Sequence, residues 1–144
     1  MEQKTADINH YYKYFKDIIT QRFLKEKHLN HFLEEIRTAF SWTLKNFIHY
    51  PIYHDDGCAL IFHSKKEPQK VFFGFIIFPN DLEIRTDFWE SIIRMANEID
   101  AKCLIGPIQG STFFPYRFIS YSDGSPFFKG EYFCNSTDHD FLVS

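Results

Sequence analysis

KVFFGFIIF, residues 70–78, decides how the rest of the chain is read. Phenylalanine and β-branched residues dominate it, and such side chains pack well on a pleated surface, so it reads as a strand. Its apolar residues occupy odd and even positions alike. A strand with one wet face would alternate, so this one is expected at the centre of a sheet, covered on both sides. Just upstream, CALIFHS (residues 58–64) has the same texture, and only a charged loop containing Pro68 separates the two. Together they predict a β-hairpin.

Within that segment the octamer VFFGFIIF also matches the signature of an RNA-recognition strand at every position except Val71 and Phe72. In such domains the rings lie exposed and stack on bases, and the octamer follows a first strand and an intervening helix. Here the preceding strand is a short loop away, with no room for a helix. The octamer is therefore read as core.

Outward from the hairpin, the chain opens with two amphipathic helices. Ile8, Tyr11, Tyr12, Phe15, Ile18, Ile19 and Phe23 recur at helical spacing, with Thr5 or Asp7 available as a cap. After the charged break KEKHLN, the residues Leu29, Phe32, Leu33, Ile36, Phe40, Leu44 and Phe47 repeat the pattern, and Pro51 limits the helix. Downstream of Pro79-Asn80-Asp81 a third helix is expected, with Thr86 as cap and Phe88, Trp89, Ile92, Ile93 and Ala96 as its apolar face. AKCLIG (residues 101–106) reads as a short strand. YRFISY (116–121) and PFFKGEYF (126–133) flank SDGS, and an Asp-Gly step between aromatic runs predicts another hairpin. The expected class is α/β (α+β): two N-terminal helices, then a mixed, mainly antiparallel sheet with one further helix packed on it, in the order ααββαβββ. Residues 1–144 are expected to form a single domain, with a helical pair over 1–50 and a sheet core over 58–134.

With 144 residues, 18 Phe and 8 Tyr, the chain can build one core from large rings. Each buried ring contributes on the order of 1.5–3 kcal/mol. The net charge is −3, and acids outnumber bases beyond residue 50, which argues against nucleic acid as a partner. Cys58, Cys103 and Cys134 are scattered and never form a C-x-x-C pair, so reduced thiols and a cytoplasmic setting are expected. No apolar run is long enough to span a membrane, and no membrane partner is expected.

Chemistry-bearing residues are sparse. His54, Asp55, Asp56 and Cys58 in HDDGC match no familiar metal-site spacing, and Asp-Asp-Gly before a strand is ordinary turn chemistry. His28 and His31 could share a helix face, but no third ligand completes a site. Cys134 near His139 lacks any feature that would lower its thiol pKa. No metal is expected.

A more specific signal lies in KCLIGPIQGSTFFPYRF, residues 102–118. A strand leading into Gly106-Pro107, then Gly110-Ser111-Thr112, aromatic residues and Tyr116-Arg117 resembles a turn in some bacterial proteins of the GNAT superfamily, the acyl-CoA N-acyltransferases. The helix DFWESIIRMANEIDA before that strand, and PFF followed by an acid within residues 126–131, fit the same resemblance, which covers roughly residues 58–134.

The resemblance implies that strands 71–78 and 102–106 splay apart and admit the pantetheine arm of an acyl-CoA, which pairs with exposed backbone as an added strand would. Acetyl-CoA or another acyl-CoA would be the donor and a small-molecule amine the acceptor. Phe75, Ile76, Ile77 and Phe78 would position the thioester, and Arg85 with Thr86 would meet the phosphates. Gly106, Pro107, Gly110, Ser111 and Thr112 would shape the turn lining the site, with Tyr116 and Tyr121 as the nearby phenols able to donate a proton.

Two departures accompany it. Where the superfamily presents a glycine-rich loop and a base to a pyrophosphate, NDLEIRTDFWE offers no glycine, and Asp81, Glu83, Asp87 and Glu90 stand against Arg85 alone. The fourth helix, closing strands and usual tyrosine acid would fall beyond residue 144. The expectation is a GNAT-like domain catalytically incomplete by itself. The alternative is a non-catalytic binding or accessory module that self-associates, as a homodimer, through its aromatic-rich sheet.

Overall fold

The computed structural model describes residues 2–110, with side chains from residue 8 onward. Three helices and a four-stranded mixed sheet follow one another as α1 (Glu2–Arg22), α2 (Leu29–Asn46), β1 (Ile48–His54), β2 (Gly57–His63), β3 (Lys70–Ile77), α3 (Leu82–Glu98) and β4 (Cys103–Ile105). The sheet order is β1-β2-β3-β4, antiparallel between the first three strands and parallel between β3 and β4. This is the α+β class expected, with the helical pair first and α3 between the last two strands. The hairpin read over residues 116–133 lies outside the described residues.

The structure adds a strand, β1, to the order read from sequence. Pro51, expected to limit the second helix, lies beyond its end, inside β1 and paired with Leu60. Counting from the two-residue Asp55-Asp56 turn, that pair is a non-hydrogen-bonded one, so the proline nitrogen faces away from β2 and removes no ladder bond. Helix α2 ends earlier, at Asn46, because Phe47 turns to extended geometry at φ −132°.

The start of α3 also differs. Asp81, not Thr86, caps it: the Asp81 carboxylate accepts the Glu83 N–H at 2.9 Å, and the helix begins at Leu82. An aspartate there satisfies one of the free N–H groups of the first turn and complements the helix dipole.

Helices cover both faces of the sheet. On one face Tyr11, Phe15 and Ile19 of α1 and Phe32, Ile36 and Phe40 of α2 pack on Cys58, Leu60, Phe62, Phe75 and Ile77. On the other, Phe88 and Ile92 of α3 pack on Ala59, Ile61, Val71, Phe73, Ile76 and Phe78. The residues of β3 therefore change parity: odd positions face α3 up to Phe73, and even positions face it from Ile76. A β-bulge does this. The register against β2 shifts between Cys58↔Ile77 and Leu60↔Gly74, inserting one extra residue in β3, and Phe75 has φ +48°. An extra residue in a left-handed conformation is how a bulged strand bends while its neighbour stays regular. The both-parity pattern of VFFGFIIF is thus two half-strands, each alternating, joined out of phase.

Among the described residues no helix is long and apolar enough to cross a membrane.

Candidate ligand slot beside the β3 bulge

β3 and β4 pair over Lys70↔Cys103, Val71↔Leu104 and Phe72↔Ile105, and no farther. Past that point the chain leaves β4 through a cis Gly106-Pro107 bond. So the ladder between segments 71–78 and 102–106 stops after three pairs, but residues just beyond it still bond β3. The Ile108 N–H donates to Phe73 O at 3.0 Å, and the Phe75 N–H donates to the side-chain oxygen of Gln109 at 2.6 Å. Gln109 is fully buried.

Gly74 makes that approach feasible. A Cβ built at Gly74 would lie 1.7 Å from the carbonyl oxygen of Ile108, so only glycine lets the backbones meet. At the other end of the turn Gly110 has φ +78°, the left-handed region glycine enters without penalty, and a Cβ there would strike Thr43 Oγ1 at 2.2 Å. The Gly106-Pro107 step and Gly110 are therefore parts of a turn that folds back onto β3.

The other side of the bulge is held by α1. The Tyr11 hydroxyl, fully buried, donates to Phe75 O and also lies within hydrogen-bonding reach of Cys58. Farther along, Arg22 donates to Phe78 O at 2.8 Å and to Asp56 Oδ2 at 2.9 Å, tying the end of α1 to the end of β3 and the β1–β2 turn. Charge-assisted bonds of this kind hold a strand end in place more firmly than neutral ones.

Of the residues proposed to position a thioester, Phe75, Ile76, Ile77 and Phe78 are all buried and alternate between the two cores. Whatever they offer a ligand is backbone, not side chain. Arg85 and Thr86 diverge. Thr86 is exposed, whereas Arg85 is 3% exposed, its Nε donating to Pro79 O at 2.7 Å and its guanidinium lying 5.6 Å from the Phe78 ring centre. Asp81, Glu83, Asp87 and Glu90 are exposed, and Asp81 is spent on the cap. Gly106, Pro107 and Gly110 line the turn; Ser111, Thr112, Tyr116 and Tyr121 lie outside the described residues, as do Cys134 and His139.

The remaining motifs resolve structurally. The rings of β3 lie under helices on both faces, so they are core and not a base-stacking platform. Asp55 and Asp56 form the β1–β2 turn, Asp55 at φ +51°, which aspartate tolerates better than most residues. His31 Nε2 pairs with Glu35 at 2.5 Å within α2, and His28 stands just before that helix. Among the described residues no three His, Cys, Asp or Glu side chains cluster to hold a metal ion.

Sequence reasoning missed Tyr11 and Gln109. Tyr11 looked like one more apolar position on a helix, and its hydroxyl's target is 64 positions away. Gln109 carried no periodic signal at all; a lone amide between two glycines was the only clue.

Burial pushes the Cys58 thiol up to about 12, against smaller lowering by the Tyr11 hydroxyl, Arg22 and a backbone bond from Ile77. It is no nucleophile at neutral pH. Two results follow. Thiol reagents applied to the folded protein near pH 8 should modify the exposed Cys103 and spare Cys58, as read by peptide mapping. Because the folded-state value lies above the ordinary 9.0, the unfolded chain loses this proton first, and stability should fall as pH rises from about 9 to about 12. Cys58→Ala should remove that part of the pH dependence, measured as the difference between the two proteins' urea midpoints.

No family model, curated protein or solved structure matches the chain.

Proposed function

We propose that this chain is a GNAT-like domain that binds an acyl-CoA along the edge of β3 beyond its pairing with β4, and that acyl transfer to an amine is not completed by this chain alone. One observation carries the reading: β3 and β4 run parallel around α3, pair over three positions, and part beside a β-bulge. Past that point Ile108 and Gln109 bond Phe73 O and the Phe75 N–H in place of a strand partner, and an extended amide-bearing arm answers edge groups of this kind as an added strand does. The pantetheine arm of CoA is such a ligand. The acids at the start of α3 are solvated and one is committed to the cap, which favours a phosphate end held away from that helix start. The scattered free thiols Cys58 and Cys103 favour a cytoplasmic setting.

The test is a thermal shift with millimolar acetyl-CoA. A ligand at one hundred times its dissociation constant contributes about 2.7 kcal/mol, which raises the melting temperature on the order of 8 °C for a domain of this size. Absence of any shift, together with a melting temperature that climbs with protein concentration, would replace this reading with the self-associating module.

A further inference from the structure

We propose that Pro51 guards the outer edge of β1, and that it keeps two copies of this chain from joining their sheets through that strand. β1 stands at one end of the order β1-β2-β3-β4, so among the described residues it has a strand on one side only. Edge strands of soluble proteins are kept from pairing with a neighbour by shortness, by a bulge, by charged side chains or by proline. The first three are missing here. β1 runs seven residues, Ile48–His54, and pairs with β2 over its whole length without a register shift. Its sequence IHYPIYH holds no Lys, Arg, Asp or Glu. Isoleucine and tyrosine in a run of this length favour pairing with an identical strand, and proline is the residue that spoils it.

That proline stands where such pairing would be centred. It is the middle residue of β1, and its main-chain groups point away from β2 because its pair with Leu60 is a non-hydrogen-bonded one. Two copies of β1 laid antiparallel, with residue 51 opposite residue 51, bring those outward groups face to face. The central pair would then exchange two N–H···O bonds. Proline has no N–H, so both are lost, and its ring carbons lie against the partner's carbonyl in their place. Inside the chain the same residue breaks no bond to β2. The position thus blocks a neighbour while leaving the chain's own ladder whole. It lies at the edge opposite β4, so the guard stands whether or not an acyl-CoA binds.

Restoring the N–H should open the edge. Pro51→Val does so with a residue suited to strands. Two hydrogen bonds regained in each pair should tighten self-association at least about tenfold over wild type, measured by sedimentation equilibrium. Pro51→Lys restores the same N–H but sets two ammonium groups across from each other at the centre of the contact, and should sediment as wild type does. A valine variant no more associated than wild type overturns the guard. So does a lysine variant that associates as strongly as the valine one, because the contact would then lie elsewhere than at residue 51. Should the valine variant not fold, Pro51→Thr takes its place and is judged by the same two comparisons.

Discussion

Phe75→Ala is expected to lower the unfolding free energy by about 3–5 kcal/mol, the usual range for truncating a buried phenylalanine. The ring is wholly enclosed between the helical pair and the sheet, edge-on to Phe40 at 5.4 Å and to Phe15 at 6.5 Å. Cavity formation accounts for most of that loss, but the backbone adds a distinguishing signature. Elsewhere in a strand glycine is worse than alanine by roughly 0.5–1 kcal/mol. At φ +48° the order should reverse, because a Cβ in the left-handed region costs about 1–2 kcal/mol that glycine escapes. Urea denaturation of Phe75→Ala and Phe75→Gly should therefore place the glycine variant level with or above the alanine one. A glycine variant clearly less stable than the alanine one would mean that Phe75 is not the bulged residue.

The second large effect belongs to Gly74→Val. On an ordinary central strand valine would be the better residue. Here its Cβ would fall 1.7 Å from the carbonyl oxygen of Ile108 and 2.7 Å from the carbon that bears it, and both atoms are backbone. Residues 106–110 must retreat, losing the Ile108–Phe73 and Gln109–Phe75 hydrogen bonds. Overpacking and two lost bonds together should cost about 2–4 kcal/mol. The loss should be local in its dynamics: exchange protection at Phe75 and Ile108 should fall while Leu60 keeps its own. A neutral substitution would show that no chain lies against Gly74.

These two residues also mark the boundary of what the sequence could reveal. Burial of residues 71–78 on both faces was legible in the distribution of phenylalanines, and so were the three helices, because periodic apolar spacing is a local signal. The bulge was not. It depends on which residue of β2 faces which residue of β3, and Gly74 followed by Phe75 reads the same whether the strand is regular or kinked. Pro51 is ambiguous for a related reason: a proline limits a helix and also sits harmlessly at a non-hydrogen-bonded edge position, and only its partner Leu60 reveals the second role. Thr86 and Asp81 are both good caps by type. The structure chose Asp81 because the helix begins before Arg85, whose side chain folds under Phe78 to reach Pro79 O.

For the candidate site, an end to the pairing of the two segments was implied by the resemblance. What filled the interval was not. Gln109 acts through a long-range hydrogen bond to Phe75, and long-range pairings of polar side chains leave no periodic trace in a sequence. The arginine nominated for phosphate is turned into the core, a consequence of the packing of α3 over Phe78 that residue type alone could not foretell.

The most direct test is a crystal structure grown with acetyl-CoA. The account predicts the pantetheine arm lying beside β3, its amides hydrogen-bonded to main-chain groups at residues 73–78 on the side that faces β4. Acetyl-CoA seated on another surface, with Ile108 and Gln109 still bonded to Phe73 and Phe75, would contradict it.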